Sequence, residues 1–143
     1  MRIFSCQHLT REAVWIPELL KHANTAKRID RLEILSPDPQ GDAQHMARLI
    51  DGEIRSVAEG AFVVPSGGER ADFSFLSRHA LARRHPGVSI DDLPERGPAV
   101  LVLAIDDLDA AARATSPHGV QRGEAVYVPP TVANGLCLCF IEA

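Results

Sequence analysis

Cysteine and aromatic residues are scarce, no sign of charge dominates and no apolar run is long. The three cysteines, Cys6, Cys137 and Cys139, are an odd number and give no disulfide framework. A reduced, cytoplasmic protein is the expectation. One Trp, one Tyr and five Phe make up the aromatic residues. Fifteen Lys and Arg against nineteen Asp and Glu leave a net charge of -4 without a basic stripe, so no nucleic-acid partner is expected. No apolar run reaches the roughly 18 residues that span a bilayer. The opening MRIFSCQHLTREAVW lacks the apolar core of a signal peptide. No membrane partner is therefore expected. There is no G-x-S-x-G elbow, no Walker loop and no H-E-x-x-H or C-x-x-C framework. What remains is an ordinary globular composition with 45% apolar residues over 143 positions. That predicts one compact domain and excludes collagen, coiled coil and wholesale disorder.

The chain divides into an N-terminal arm over 1–27, a first unit over 28–78, a connection over 79–97 and a second unit over 98–143. In the arm, Arg11 to His22 reads as a short helix with Thr10 as N-cap, a reading that Pro17 weakens unless it falls within the first turn. From Ile29 to Leu35 apolar and polar residues alternate, which predicts a half-buried strand. A helix follows over Asp42 to Ile50, closed by Asp51-Gly52, and then strands over Glu53 to Ala58, Ala61 to Pro65 and Ala71 to Leu76. Ser77 caps a short helix over His79 to His85 in the connection. The second unit repeats the order. A strand over Ala99 to Ile105 leads through Asp107, a helix cap, into a helix over Leu108 to Thr115. Strands over Val120 to Gly123, Glu124 to Val128 and Leu136 to Ile141 complete it. Both units read β-α-β-β-β, and neither can bury a sheet face alone. The predicted class is α+β: two βαβββ modules in a curved eight-stranded mixed sheet, helices outside, with an inner face where a small molecule fits.

Two segments carry a family resemblance. VLVLAIDDLDAAA at Val100 to Ala112 resembles the strand-Asp-Asp-Leu-helix opening of a module in the vicinal oxygen chelate superfamily, the glyoxalase, bleomycin-resistance and dioxygenase group. Ala133-Asn134-Gly135-Leu136-Cys137-Leu138-Cys139-Phe140 resembles its closing strand after an Asn-Gly turn. The arm, through Gln7-His8-Leu9-Thr10, Trp15-Ile16-Pro17-Glu18 and His22-Ala23-Asn24-Thr25-Ala26, resembles a joining segment of the glyoxalase-like domain subgroup. The resemblance implies a divalent metal held by a His or Glu early in each module's first strand and a Glu late in each last strand. Those positions hold Arg31, Val100 and Cys139, with Asp72, Ser74 or Phe75 in the last strand of the first module. A cation, an aliphatic group and a thiol do not supply the nitrogen and oxygen donors of such a site. The expectation is therefore a protein without the metal cofactor, binding a small organic anion. The resemblance also implies a homodimer.

Alternation puts Arg31, Glu33 and Leu35 on one strand face and Leu32 and Ile34 on the other. Arg31 and Glu33 either line the cavity, Arg31 holding an anion, or form a solvated pair. Cys137 and Cys139 share a face, as reactive thiols or as small apolar fillers. Tyr127 and Trp15 stack on a planar ligand or plug the core. His8, Trp15, His22 and Asn24 either fold over the cavity with the arm or cap an edge or a partner copy. Cys6 reads as uninvolved, and His45, His79, His85 and His118 as solvated surface. Three functions compete. One is a metal-free binder. The second is a metal-dependent lyase, isomerase or dioxygenase with donors such as His8 or His22. The third is a structural or regulatory remnant. Metal content separates the first two, and a filled inner face marks the third.

Overall fold

The computed structural model describes residues 7–68 and 70–143; Cys6 lies outside the described residues. Strand β1 (Ala26–Leu35) leads into helix α1 (Pro39–Ile50) and strands β2 (Arg55–Ala58), β3 (Ala61–Val64) and β4 (Asp72–Leu76). Helix α2 (Arg78–Arg84) and a 3-10 turn at Ile90–Asp92 form the connection. Strand β5 (Gly97–Ile105), helix α3 (Leu108–Thr115) and strands β6 (Val120–Arg122), β7 (Ala125–Val128) and β8 (Cys137–Glu142) follow, with a 3-10 turn at Pro130–Val132 between the last two. The strands form one mixed sheet in the order β2-β3-β4-β1-β5-β8-β7-β6. Within each half the module's first strand pairs parallel with its last, and antiparallel partners extend outward. The antiparallel β1–β5 pair joins the halves. The repeat in the sequence is thus a repeat in space.

Local chemistry sets the boundaries. Helix α1 begins three residues before the expected Asp42. The Asp38 carboxylate accepts from the Gly41 N–H, and Pro39 fills the first turn, where its missing N–H costs nothing. It ends where Asp51 turns left-handed at φ 52°. Asp107 caps α3 by accepting from the Ala110 N–H, and Ser77 caps α2 by accepting from the Ala80 N–H. Strand β1 starts at Ala26 rather than Ile29 because Ala26 and Arg28 find partners on β5. The single helix expected over Arg11 to His22 does not form. Two 3-10 turns, Arg11–Ala13 and Pro17–Leu20, take its place and bury no side chain. Pro17 has no N–H to give and its ring would collide with the carbonyl four residues back.

Two helices cover the outer face. Ala43, Met46 and Ala47 of α1 pack on Ile34 and Phe75, and Ala111 of α3 packs with Ile105, Val126 and Phe140. Helix α2 departs from the expected plan. Its Ala80 and Leu81 pack on the opposite face with Leu35, Leu76, Val100, Val102, Cys137 and Cys139. No helix of the described residues is long and apolar enough to cross a membrane.

Candidate functional site

Two rows of side chains run across the inner face. Strand register aligns Asp72, Arg31, Val102, Cys139 and Tyr127 in one and Ser74, Glu33, Val100 and Cys137 in the next. The connection lies over them. Leu81, Leu93, Val88 and Ile90 pack against Val100, Val102, Cys137 and Cys139, so the centre of the face is filled, the mark of a remnant without ligand, while its edges keep pockets.

Within that cover Glu33 has no exposure and is the hub of a charged cluster. Its Oε2 accepts from His85 Nε2–H at 2.7 Å, and its Oε1 accepts from Arg31 Nε at 2.8 Å and from Arg84 at 3.4 Å. Arg31 also donates to Asp30 at 2.8 Å. On its other side, His85 Nδ1 lies at hydrogen-bond distance, 3.2 Å, from the Tyr127 hydroxyl. The Tyr127 hydroxyl stands against the Cys139 thiol. Burial by itself would raise the Glu33 pKa. The His85 hydrogen bond and the nearby charges of His85 and Arg31 outweigh it, so the carboxyl sits below its usual range. Burial pushes the Cys137 thiol up to about 12, helped by Cys139 and Glu33. It pushes Cys139 up to about 11 and the Tyr127 hydroxyl up to about 12. At neutral pH all three carry their protons, so neither cysteine is a thiolate nucleophile. Ser74, one register step from Glu33, has a buried hydroxyl without a hydrogen-bond partner among the described residues.

Openings remain at the edges of this face. One lies beside Ala61, Ala80, Arg83 and Arg84. Another, a pocket of about 170 Å³, is bounded by Val88, Tyr127, Pro129, Pro130 and Cys137. The Arg122 guanidinium stands at its rim, over Gly87, where a Cβ would lie 2.8 Å from an Arg122 nitrogen. Arg122 forms no ion pair among the described residues.

Of the side chains singled out in the sequence, the structure brings Arg31, Glu33, Tyr127 and Cys139 together. His8, Trp15 and His22 are exposed on the arm. His8 packs edge-on to Trp15 at 4.9 Å between ring centroids, and Arg11 lies over the Trp15 ring. The Asn24 side chain accepts from the Ala26 N–H at 3.1 Å and so serves the entry into β1. His85 is a correction. It reads as solvated in the sequence, yet is 3% exposed. Pro86-Gly87 turns the chain directly behind it, and α2 lays the ring on Glu33. Arg84 and Arg122 also escaped the reading, because nothing local marks an arginine that lies over an inner face.

No protein-family model and no curated protein sequence matches the chain. Solved structures do. Methylmalonyl-CoA epimerase from Mycobacterium tuberculosis superposes with a TM-score of 0.57 at 14% identity, covering 85% of this chain and 95% of that one. Streptomyces coelicolor methylmalonyl-CoA epimerase in complex with 2-nitronate-propionyl-CoA gives 0.54 at 16% identity, covering 82% and 95%. A hypothetical protein from Bacillus halodurans gives 0.54 at 10% identity, covering 81% and 94%. The chain shares the fold of these structures.

The metal positions that the resemblance in the sequence implies can be tested against the donors present. On β1 stands Arg31, already bound to Glu33 and Asp30. On β5 stand Val100 and Val102, and on β8 the protonated Cys139 thiol. Among the described residues no group of three His, Cys, Asp or Glu side chains is placed to hold a metal. Glu33, the one carboxylate in the centre, already takes donors from three side chains. This donor set does not fit a divalent ion.

Proposed function

We propose that the chain binds a small organic anion at the inner-face pocket beside Tyr127, without a divalent metal. The observation that carries this reading is the pairing of a filled, self-neutralised centre with an open pocket whose rim holds a guanidinium that forms no ion pair among the described residues. Arg31, the anion holder expected from the sequence, spends its donors on Glu33 and Asp30. Arg122 takes its place at the mouth, with the Tyr127 hydroxyl and the apolar wall of Val88 and Pro130 beside it. A planar carboxylate suits that fork, and a small apolar body suits the wall. Neighbours of the same fold are named in complexes with acyl-CoA compounds, which lends support to an organic acid as the ligand class. At about 170 Å³ the pocket admits only a small fragment of such a molecule.

The test has two arms. Elemental mass spectrometry of untagged protein, after exposure to zinc, nickel, manganese and iron, is expected to find far less than one metal per chain. A screen of small carboxylates against the wild type and Arg122→Ala is expected to yield ligands that the variant binds about tenfold more weakly, the size of one charge-assisted hydrogen bond. One tightly held metal equivalent, or a screen in which no bound carboxylate depends on Arg122, overturns the reading.

A cytoplasmic setting and a homodimer belong to the same proposal. The arm exposes Leu9, Val14, Trp15, Ile16, Leu19 and Leu20, an apolar surface of the kind that partners cover. Light scattering of the full chain and of a chain lacking residues 1–24 is expected to read a dimer and a monomer.

A further inference from the structure

Another cavity lies on the outer face, where the two modules meet. It has a volume of about 220 Å³ and opens between α1, the end of β1 and the start of β5. Its floor is apolar. Ile34, Met46 and Phe75 line it, each 3% exposed or less. Three polar side chains stand at its mouth: Asp42 and His45 on α1, and Arg96 just before β5. Their present partners decide what the mouth can accept. The Asp42 Oδ2 already accepts the Ser36 hydroxyl at 2.6 Å. Arg96 approaches the same oxygen only to 3.7 Å, beyond hydrogen-bond distance, and its side chain is 66% exposed. The guanidinium fork is thus held near the mouth by charge while its donors stay open. His45 is exposed and makes no hydrogen bond among the described residues. The ring offers a further donor on the same side.

We propose that this cavity is a binding site for a small monocarboxylic acid with a branched or aromatic tail. The tail lies on Ile34, Met46 and Phe75, and the carboxylate takes donors from Arg96 and His45. An uncharged ligand of the same shape would leave the guanidinium without an acceptor. The volume, below the ~300–1,000 Å³ of pockets for drug-sized ligands, excludes a nucleotide. The site stands apart from the Tyr127 pocket, on the other face of the sheet, and does not depend on it.

Benzoate and isovalerate are the probes, with benzyl alcohol as the uncharged counterpart of benzoate. Titration of the full ¹⁵N-labelled chain is expected to give saturable shifts at the amides of His45, Met46, Phe75 and Gly97. Arg96→Gln, at an exposed position that leaves the core untouched, is expected to weaken binding of benzoate about tenfold, the share of one charge-assisted hydrogen bond. Arg48→Gln, exposed on the same helix, is expected to change little and controls for net charge. Absence of saturable shifts at those amides overturns the site. Equal binding of benzyl alcohol and benzoate, or unchanged affinity in Arg96→Gln, overturns the assignment of a carboxylate ligand.

Discussion

Glu33 is a carboxylate without exposure, held by an imidazole and two guanidinium groups. Its pKa is lowered in the folded chain, so its contribution to stability has a definite pH window. The contribution is full above the unfolded value of about 4.3 and is lost as pH falls toward and through the lowered folded value. Thermal melts below pH 4.3 are expected to show a steeper loss for the wild type than for Glu33→Gln. At pH 7 that variant is expected to be less stable by about 3 kcal/mol, because Arg31 and His85 lose their buried anion. Ser74→Ala points the other way. Its hydroxyl is buried and has no partner among the described residues, a state that costs about 1–3 kcal/mol, so removal is expected to leave the midpoint unchanged or raised. The sequence makes part of this cluster legible. Alternation places Arg31 with Glu33 on one face of β1 and leaves open whether that face is the inner one. It does not reveal His85, which lies 52 positions along the chain from Glu33 and meets it only because α2 folds over that face.

At the scale of elements, the departure lies in the connection. Ser77 as a cap and Pro86-Gly87 as a stop are readable, and both helices that follow the first strands of the modules form where their apolar spacing puts them. The face that α2 covers is not readable. Its seven residues make about two turns, too few for a periodicity that names a side. Because Leu81 is fully buried between α2 and the sheet, Leu81→Ala is expected to cost about 2–5 kcal/mol in a denaturant titration. The same packing predicts that amides of β5 and β8 exchange faster in the variant. A loss below 1 kcal/mol with unchanged exchange would mean that the connection does not hold the inner face. The arm shows the opposite case, where one residue decides: Pro17 ends the helical reading, and the two short turns leave Trp15 42% exposed.

On the scale of the whole molecule, the βαβββ repeat is the feature the sequence states most openly, and the sheet order reproduces it about the β1–β5 seam. That frame is shared with proteins at 10–16% identity, so the fold follows from the pattern of apolar positions far more than from particular residues. Function does not follow from the frame. The proposed function rests on what lines the inner face: Glu33 and its cations in the centre, Tyr127 and Arg122 at the pocket beside it. The measurement that tests this most directly is calorimetric titration of the best small carboxylate from the screen. It is made once with excess chelator and once with excess zinc, on the wild type and Arg122→Ala. The account predicts one Arg122-dependent site per chain, with the same affinity in chelator and in zinc and about tenfold weaker binding at that site in the variant. Binding that vanishes in chelator and returns with zinc would contradict it.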